Sequence, residues 1–483
     1  MNMVIRDGLA RNFLAGRWVE GEAGARIAVE DPATGEIVAE MARAGERQLA
    51  AALEAARGSV ERGDLSAMRP GARADLMRRI ASCIRAIADE GAPILCRESG
   101  KRLSDARGEF EEAAAYFDYY GGLADKIEGK QIPLGSDYID YTVFEPVGIS
   151  AQIVPWNFPV SLAARSLAPA LAAGNAVIVK SPELDPLALA LLGRAFQEAG
   201  LPEGAVSILN GIGSELGARL VASSEIDQIV FTGSVPTGQA ILCAAAENVT
   251  PSLMELGGKS AAVAFEDADL DRLVESVQGG IFFNAGQVCS AMSRLLVHRS
   301  LYDRAVEAVA ALAGGLEAGH GLDEAAHTPV ISAGQLDGIE AMVRAAPGQG
   351  ARIAAGGARL DRAGHFMAPT ILADVDPLSD IAQQELFGPV LCVTPFETEA
   401  EAVTIANGTE FGLVAGIFTR DLARAHRVVG RLRAGQVFVN EWFAGGIATP
   451  FGGIGKSGFG REKGVEALYN YVRTKNVAIS LKG

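Results

Sequence analysis

Residues 147–180 read VGISAQIVPWNFPVSLAARSLAPALAAGNAVIVK. Two short apolar runs, GISAQIV and NAVIVK, enclose a helical stretch, SLAARSLAPALAAG. The runs lack polar alternation, as strands covered on both faces do. Strand, helix and strand at this pitch form a βαβ unit and predict a parallel sheet. The alternation continues through PLALALLGRAFQEAG, AVSIL, SELGARLVAS, DQIVF and TGQAILCAAAE. It resumes beyond residue 260 with AAVAF, a helix over 269–282, RLLVH, a helix over 301–313, then PVLCVTPF, GLVAGIFT and QVFVN. Two α/β units follow, with their boundary near ELGGK at 255–259. Upstream, ERQLAAALEAARGSV and GARADLMRRIASCIRAIADE carry apolar residues at helical spacing. YIDYTVFEPVG (138–148) and NYVRTKNVAISL (470–481) are strand-like and fit neither unit. They are expected to share a small sheet that a second subunit could complete.

The chain has 483 residues, 49% hydrophobic and 21% charged, which suits an ordered protein of two or three domains. A net charge of −16 argues against nucleic acid or an anionic membrane as partner, because both need basic surface. No apolar run of about 18 residues predicts a membrane span, and the first residues lack a secretory h-region. The five cysteines, Cys83, Cys96, Cys243, Cys289 and Cys392, are scattered without C-x-x-C spacing. That pattern suits reduced thiols and a cytoplasmic location. The five histidines lack ligand spacing, so no metal is expected.

Cys289 follows Phe283-Asn284-Ala285-Gly286-Gln287-Val288, a Gly turn after an apolar helical run. A thiol there can be reachable and activated, or simply a small buried apolar residue. Asn157 lies between Pro155 and Pro159, which stiffen its loop; a rigid amide can donate to a developing oxyanion, or can be a turn residue. Glu255 sits between Met254 and Leu256, where apolar walls would raise its pKa and make it a general base. The simpler reading pairs it with Lys259. No G-x-G-x-x-G follows a strand. Instead DQIVF runs into Thr232-Gly233-Ser234 and a helix, whose first N–H groups could hold a phosphate. Lys180 and Glu183 flank the carboxyl end of NAVIVK, where open α/β sheets place ligands. A carboxylate there can take both ribose hydroxyls and would repel a 2′-phosphate.

In order and spacing, PWNFP, NAVIVK-x-x-E, FTGS-x-x-x-G, ELGGK, FNAGQVC, QELFGPV and PFGG-x-x-K-SG-x-GRE resemble the NAD(P)-dependent aldehyde dehydrogenases. The likeness runs from FLAGRWV and DPATGE to the tail. It implies an α/β, aldehyde dehydrogenase-like fold: two Rossmann-like α/β domains plus a small β oligomerisation element. Residues 1–128 and 148–256 would bind the cofactor, 257–469 would form the catalytic domain, and 129–147 with 470–483 the oligomerisation strands. It also implies roles. Cys289 is the nucleophile, its N–H and the Asn157 amide form the oxyanion hole, and Glu255 activates water on the thioester. Lys180 and Glu183 hold the adenosine ribose of NAD, with NADP the less favoured cofactor, and Ser234 meets the pyrophosphate. Ile153, Pro155, Trp156, Gly213, Phe231, Thr232, Gly233 and Leu256 line the cofactor cleft. Glu385 reaches the nicotinamide ribose, beside Phe387. A homodimer or homotetramer is implied.

Two positions depart from the family pattern: Ser181-Pro182 reverses the usual Pro-first order after Lys180, and Gly455 stands where many members carry another residue. Phe158, Arg165, Phe283, Ser290, Trp442, Phe443 and Phe451 fall where members line the aldehyde tunnel. The aromatic residues suggest an apolar or aromatic small-molecule aldehyde. Arg165 resembles the arginine that takes a carboxylate in succinate-semialdehyde dehydrogenases, and Arg165-Ser166 also resembles benzaldehyde and vanillin dehydrogenases. The bland reading of Arg165 is an ion pair on its own helix. The alternatives to a hydrolytic oxidase are a coenzyme A-acylating semialdehyde dehydrogenase, disfavoured by Glu255, and a non-catalytic structural or binding relative.

Overall fold

The computed structural model describes residues 5, 6 and 8–482. Five parallel strands form the middle of the first sheet, in the order Ser252–Glu255, Gln228–Thr232, Ile149–Ile153, Ala176–Lys180 and Val206–Leu209. The NAVIVK strand is buried at every residue, which is why it reads as an unbroken apolar run. Burying each such Val or Ile contributes about 1.5–3 kcal/mol. Ile149–Ile153 is the turning point. Ala176–Lys180 and Val206–Leu209 are added on one side, Gln228–Thr232 and Ser252–Glu255 on the other. The carboxyl ends of the strands at such a point open a crevice for ligands. The FLAGRWV segment supplies two antiparallel strands, Asn12–Leu14 and Arg17–Val19, at one edge. Gly458–Phe459 returns from late in the chain to pair with Ser252–Glu255 at the other.

The second sheet runs Arg352–Ala355, Thr370–Ala373, Val390–Phe396, Arg294–His298, Ala261–Ala264, Val414–Phe418 and Gln436–Val439. All but the first are parallel. The chain passes between the sheets at Leu256–Ser260, within ELGGK and the next residue. Tyr138–Pro146 and Val472–Ser480 pair antiparallel in continuous register, from Val472 opposite Pro146 to Ser480 opposite Tyr138. Among the described residues no helix is long and apolar enough to cross a membrane.

The helix expected over 269–282 is α-helical only over Leu270–Val277, then widens over Gln278–Phe282. Gly279 and Gly280 weaken the α turn. The wider turn lets the Gly280 carbonyl accept from Met292 N–H at 2.8 Å, and a side chain at Gly280 would press on Met292. Asn284 and Ala285 then take left-handed φ of +49° and +53° and turn the chain toward Cys289. Likewise SELGARLVAS, expected as one helix, starts as a wide turn over Gly213–Gly217 before Ala218–Ala222 becomes α-helical.

Candidate active site

The carboxyl ends of the five parallel strands bring together residues that are scattered in sequence. Ile153, Pro155 and Trp156 follow one strand, Lys180 and Glu183 the next, and Gly213 the turn after Val206–Leu209. Phe231, Thr232, Gly233 and Ser234 end the neighbour on the other side, and Glu255 and Leu256 end the last. Lys180 Nζ lies 2.9 Å from Glu183, and burial pushes the lysine pKa down while Glu183 opposes that. Glu183 also accepts the Gly213 N–H, and a Cβ on Gly213 would come within 3.1 Å of that carboxylate. Ser234 caps the helix Val235–Asn248 and accepts from Thr237 N–H at 3.5 Å. Gly238 lets this helix close on Leu256, since a Cβ there would lie 2.7 Å from the Leu256 side chain. Glu385 accepts the Gly258 N–H at 2.9 Å, and burial raises its pKa to about 7. Trp156 and Phe387 meet edge to face with centroids 5.2 Å apart.

Asn157, after a strand of the first sheet, bonds to the turn that leads to Cys289 ahead of the second. Asn157 Nδ2 donates to the Gln287 carbonyl at 3.0 Å. Asn284 Nδ2 donates back to the Asn157 carbonyl at 3.2 Å. The Gln287 side chain is held in turn, accepting from Ile331 N–H at 2.8 Å and donating to the Asn284 carbonyl at 3.1 Å. The Asn157 amide has a second N–H, and the Cys289 N–H has no protein acceptor among the described residues. The Ser290 N–H faces the Cys289 sulfur, and among the described residues the second Asn157 N–H and the Cys289 N–H are left without a protein acceptor at the same turn. Trp442 Nε1 fixes the next residue by donating to the Ser290 carbonyl at 3.1 Å. Gly258 has no side chain to obstruct this turn; a Cβ would lie 2.6 Å from the Cys289 carbonyl.

Glu255 does not pair with Lys259, and that simpler reading is corrected. Its carboxyl is buried, and neither oxygen has a hydrogen-bond partner among the described residues. Gly452 makes room for it, since a Cβ there would lie 2.7 Å from Glu255 Oε1 and 3.1 Å from the Arg461 guanidinium. Burial, reinforced by Glu462, holds the Glu255 pKa well above the carboxylate range, while Arg165 and Arg461 pull it down. Burial also pushes the Cys289 thiol up to about 12, against the pull of Arg165.

Arg165 has its ion pair, but not on its own helix as the bland reading had it. The partner is Glu462, in the GRE segment, and both side chains are buried. Its guanidinium lies 5.5 Å from the Phe451 ring centroid. Phe158 stacks on Phe283 at 5.9 Å, and Phe443 meets Phe283 at 6.4 Å and Trp442 at 6.3 Å. Four of the anticipated tunnel residues, Phe158, Phe283, Phe443 and Trp442, thus form one aromatic wall, which Trp442 ties to Ser290. Lys101, Glu109, Asn284, Gln287 and Glu462 belong to the site and carried no assigned role in the sequence reading. Only the last three lie in the FNAGQVC and GRE segments, whose motifs are evident in the sequence.

The Cys289 thiol and the Glu255 carboxyl both deprotonate as pH rises, so any turnover that uses them as nucleophile and base should climb toward alkaline pH. Glu462→Gln removes a negative neighbour of Glu255 and unbalances the Arg165 cation, and both changes favour ionisation. The rising limb of kcat against pH should move down by about one pH unit. An unmoved or upward-shifted limb contradicts this electrostatic coupling.

The model of the aldehyde dehydrogenase family matches residues 18–477. A betaine aldehyde dehydrogenase of Cereibacter sphaeroides is 39% identical over 474 residues, covering 98% of this chain and 97% of that protein. The NAD+ complex of an aldehyde dehydrogenase from Bacillus cereus is 36% identical with a TM-score of 0.96, covering 98% of this chain and 96% of that one. The NAD+ complex of betaine aldehyde dehydrogenase from Staphylococcus aureus is 35% identical with a TM-score of 0.96, over 98% of this chain and 95% of that one.

Proposed function

Because the chain belongs to the aldehyde dehydrogenase family, we propose that it oxidises an aldehyde to a carboxylic acid with NAD, through an acyl group carried on Cys289. The observation that carries this reading is a buried Glu255 carboxyl with no hydrogen-bond partner among the described residues, in a chain whose Asn157 amide is bonded to the turn that leads to Cys289. The Cys289 sulfur, as thiolate, adds to the aldehyde carbon. The carbonyl oxygen becomes an alkoxide, stabilised by the Asn157 amide and the Cys289 N–H. NAD, when bound, accepts the hydride that this carbon releases, leaving a thioester on Cys289. Glu255 takes a proton from water as the water oxygen bonds to the thioester carbon. The carbon–sulfur bond then breaks, freeing the acid and the thiolate.

The residues fit the cofactor. Gly213 and Gly233 are without side chains at the crevice, Ser234 opens a helix, and the Lys180–Glu183 pair is positioned for a ribose. Glu183 supports NAD over NADP, because a carboxylate repels a 2′-phosphate. The edge strand Val472–Ser480, with Ile479 exposed, supports assembly as a homodimer or homotetramer.

The rings of Phe158, Phe283, Phe443 and Phe451 support an uncharged aromatic or apolar aldehyde. Arg165 is already neutralised by Glu462, which weakens its case as a carboxylate ligand. The relatives named for betaine aldehyde act on a quaternary ammonium, which ring faces can also hold. NADH formation with benzaldehyde, an aliphatic aldehyde, betaine aldehyde and succinate semialdehyde separates these classes. We expect benzaldehyde to lead, NAD to exceed NADP by at least about tenfold in kcat/KM, and Arg165→Ala to depress all substrates alike. Equal use of the two cofactors refutes the Glu183 argument, and a selective loss on succinate semialdehyde makes Arg165 a carboxylate ligand. Product formed only with added coenzyme A refutes hydrolysis.

A further inference from the structure

Lys101 lies in the turn between the helices Pro70–Ser99 and Leu103–Gly121, and it is fully enclosed, at 1% exposure. A buried lysine requires partners that compensate its lost hydration. Its ammonium donates to Glu109 at 2.6 Å and to the main-chain carbonyl of Asn157 at 2.9 Å, and it lies 4.5 Å from the Phe158 ring centroid. The other oxygen of Glu109 accepts Val160 N–H at 2.8 Å and Ser161 N–H at 3.3 Å, in the first turn of the helix Pro159–Ala173. One buried ion pair therefore grips the main chain at Asn157 and the start of the helix that carries Arg165. The Asn157 carbonyl takes a second bond from Asn284, in the turn that leads to Cys289.

We propose that Lys101, braced by Glu109, is a positioning residue that holds the Asn157 amide at the alkoxide formed on Cys289. This rests on the reading of Asn157 as oxyanion donor. A hydrogen-bond donor stabilises a transition state only when it is already in place, and small displacements are costly. Lys101 contacts the carbonyl of the same residue whose side chain donates. Losing that bond loosens the peptide between Asn157 and Phe158, so that the amide is held only by its bond to the Gln287 carbonyl and one wall of the tunnel loses its support. Asn284 alone then holds the carbonyl.

The test is a kinetic cycle of Lys101→Met and Asn157→Ala in the full enzyme, read as the single-turnover rate of NADH formation. Asn157→Ala should slow hydride transfer roughly 10²- to 10³-fold. Lys101→Met should slow it roughly 10- to 100-fold, with unchanged NAD binding and a larger isotope effect from aldehyde deuterated at the carbonyl carbon. In the Asn157→Ala background, Lys101→Met should cost less than about threefold. Lys101→Met leaves Glu109 unpaired, so Lys101→Met with Glu109→Gln, which removes both charges, is measured beside it. The double variant should recover thermal stability without recovering rate. Wild-type speed in Asn157→Ala refutes the oxyanion reading itself. A slow Asn157→Ala on which the Lys101→Met loss multiplies in full refutes only the positioning role. Rate that returns together with stability, or failure of both Lys101 variants to fold, makes the pair purely structural and rejects the proposal.

Discussion

Cys289→Ala is expected to yield a folded protein that binds NAD and oxidises no aldehyde. The loop around Cys289 is fixed by groups other than its sulfur: the Asn157–Gln287 bond, the Gln287–Ile331 bond and the Trp442–Ser290 bond. Removing one sulfur from a half-buried position leaves all of them in place. The chemistry has no substitute. A bare aldehyde carbon does not release hydride readily; the tetrahedral alkoxide formed by sulfur addition does. The other four thiols lie elsewhere: Cys83 and Cys96 on the helix Pro70–Ser99, Cys243 exposed on the helix Val235–Asn248, and Cys392 buried in a strand of the second sheet. Loss of a nucleophile costs about 10⁴- to 10⁶-fold in kcat. NADH production should therefore fall below detection while a titration with NAD still saturates. Residual turnover within tenfold of wild type would remove Cys289 from the mechanism (about 1.4 kcal/mol, far short of a lost nucleophile).

Glu255→Gln should separate the two halves of the reaction. Glutamine keeps the shape and cannot take a proton at neutral pH. The space around the side chain is tight, because Gly452 has no room for even a Cβ there. An isosteric change is therefore the suitable probe. In the proposed mechanism thiol addition and hydride release use Cys289 and Asn157 and not Glu255, so the first turnover should produce NADH in proportion to enzyme. Thioester hydrolysis needs a base, and its loss should slow steady-state turnover by roughly 10²- to 10⁴-fold. Glu255 holds its proton more tightly than an ordinary carboxyl because it is buried beside Glu462. The wild-type hydrolytic step should accordingly gain with pH, and the variant should lose that dependence.

Much of this was legible in the chain because strands and motifs are local. NAVIVK is apolar without interruption because both faces are covered, and that pattern needs no tertiary knowledge. The strand ends then deliver Asn157, Lys180, Ser234 and Glu255 to one crevice by topology alone. The charged interior was not legible. Lys101 follows a helix end and, by residue type, belongs on the surface. Only the fold brings it to Glu109 and the Asn157 carbonyl. Arg165 could be suspected of an ion pair, but its partner Glu462 comes from a segment far along the chain, and no helical spacing pairs them. The widened turn at Gln278–Phe282 escaped for a related reason: periodicity continues past Val277, and the Gly280–Met292 bond that decides the conformation is tertiary.

In the proposed mechanism Cys289 carries the acyl group and water activated by Glu255 removes it. Its most direct test is to mix Glu255→Gln with NAD and benzaldehyde, quench after the NADH burst, and measure the intact mass and that of the Cys289 peptide. One acyl group per subunit is expected, located on Cys289 and absent from wild type at the same delay. Full steady-state turnover with no acylated Cys289, or an acyl group on any other residue, would contradict it.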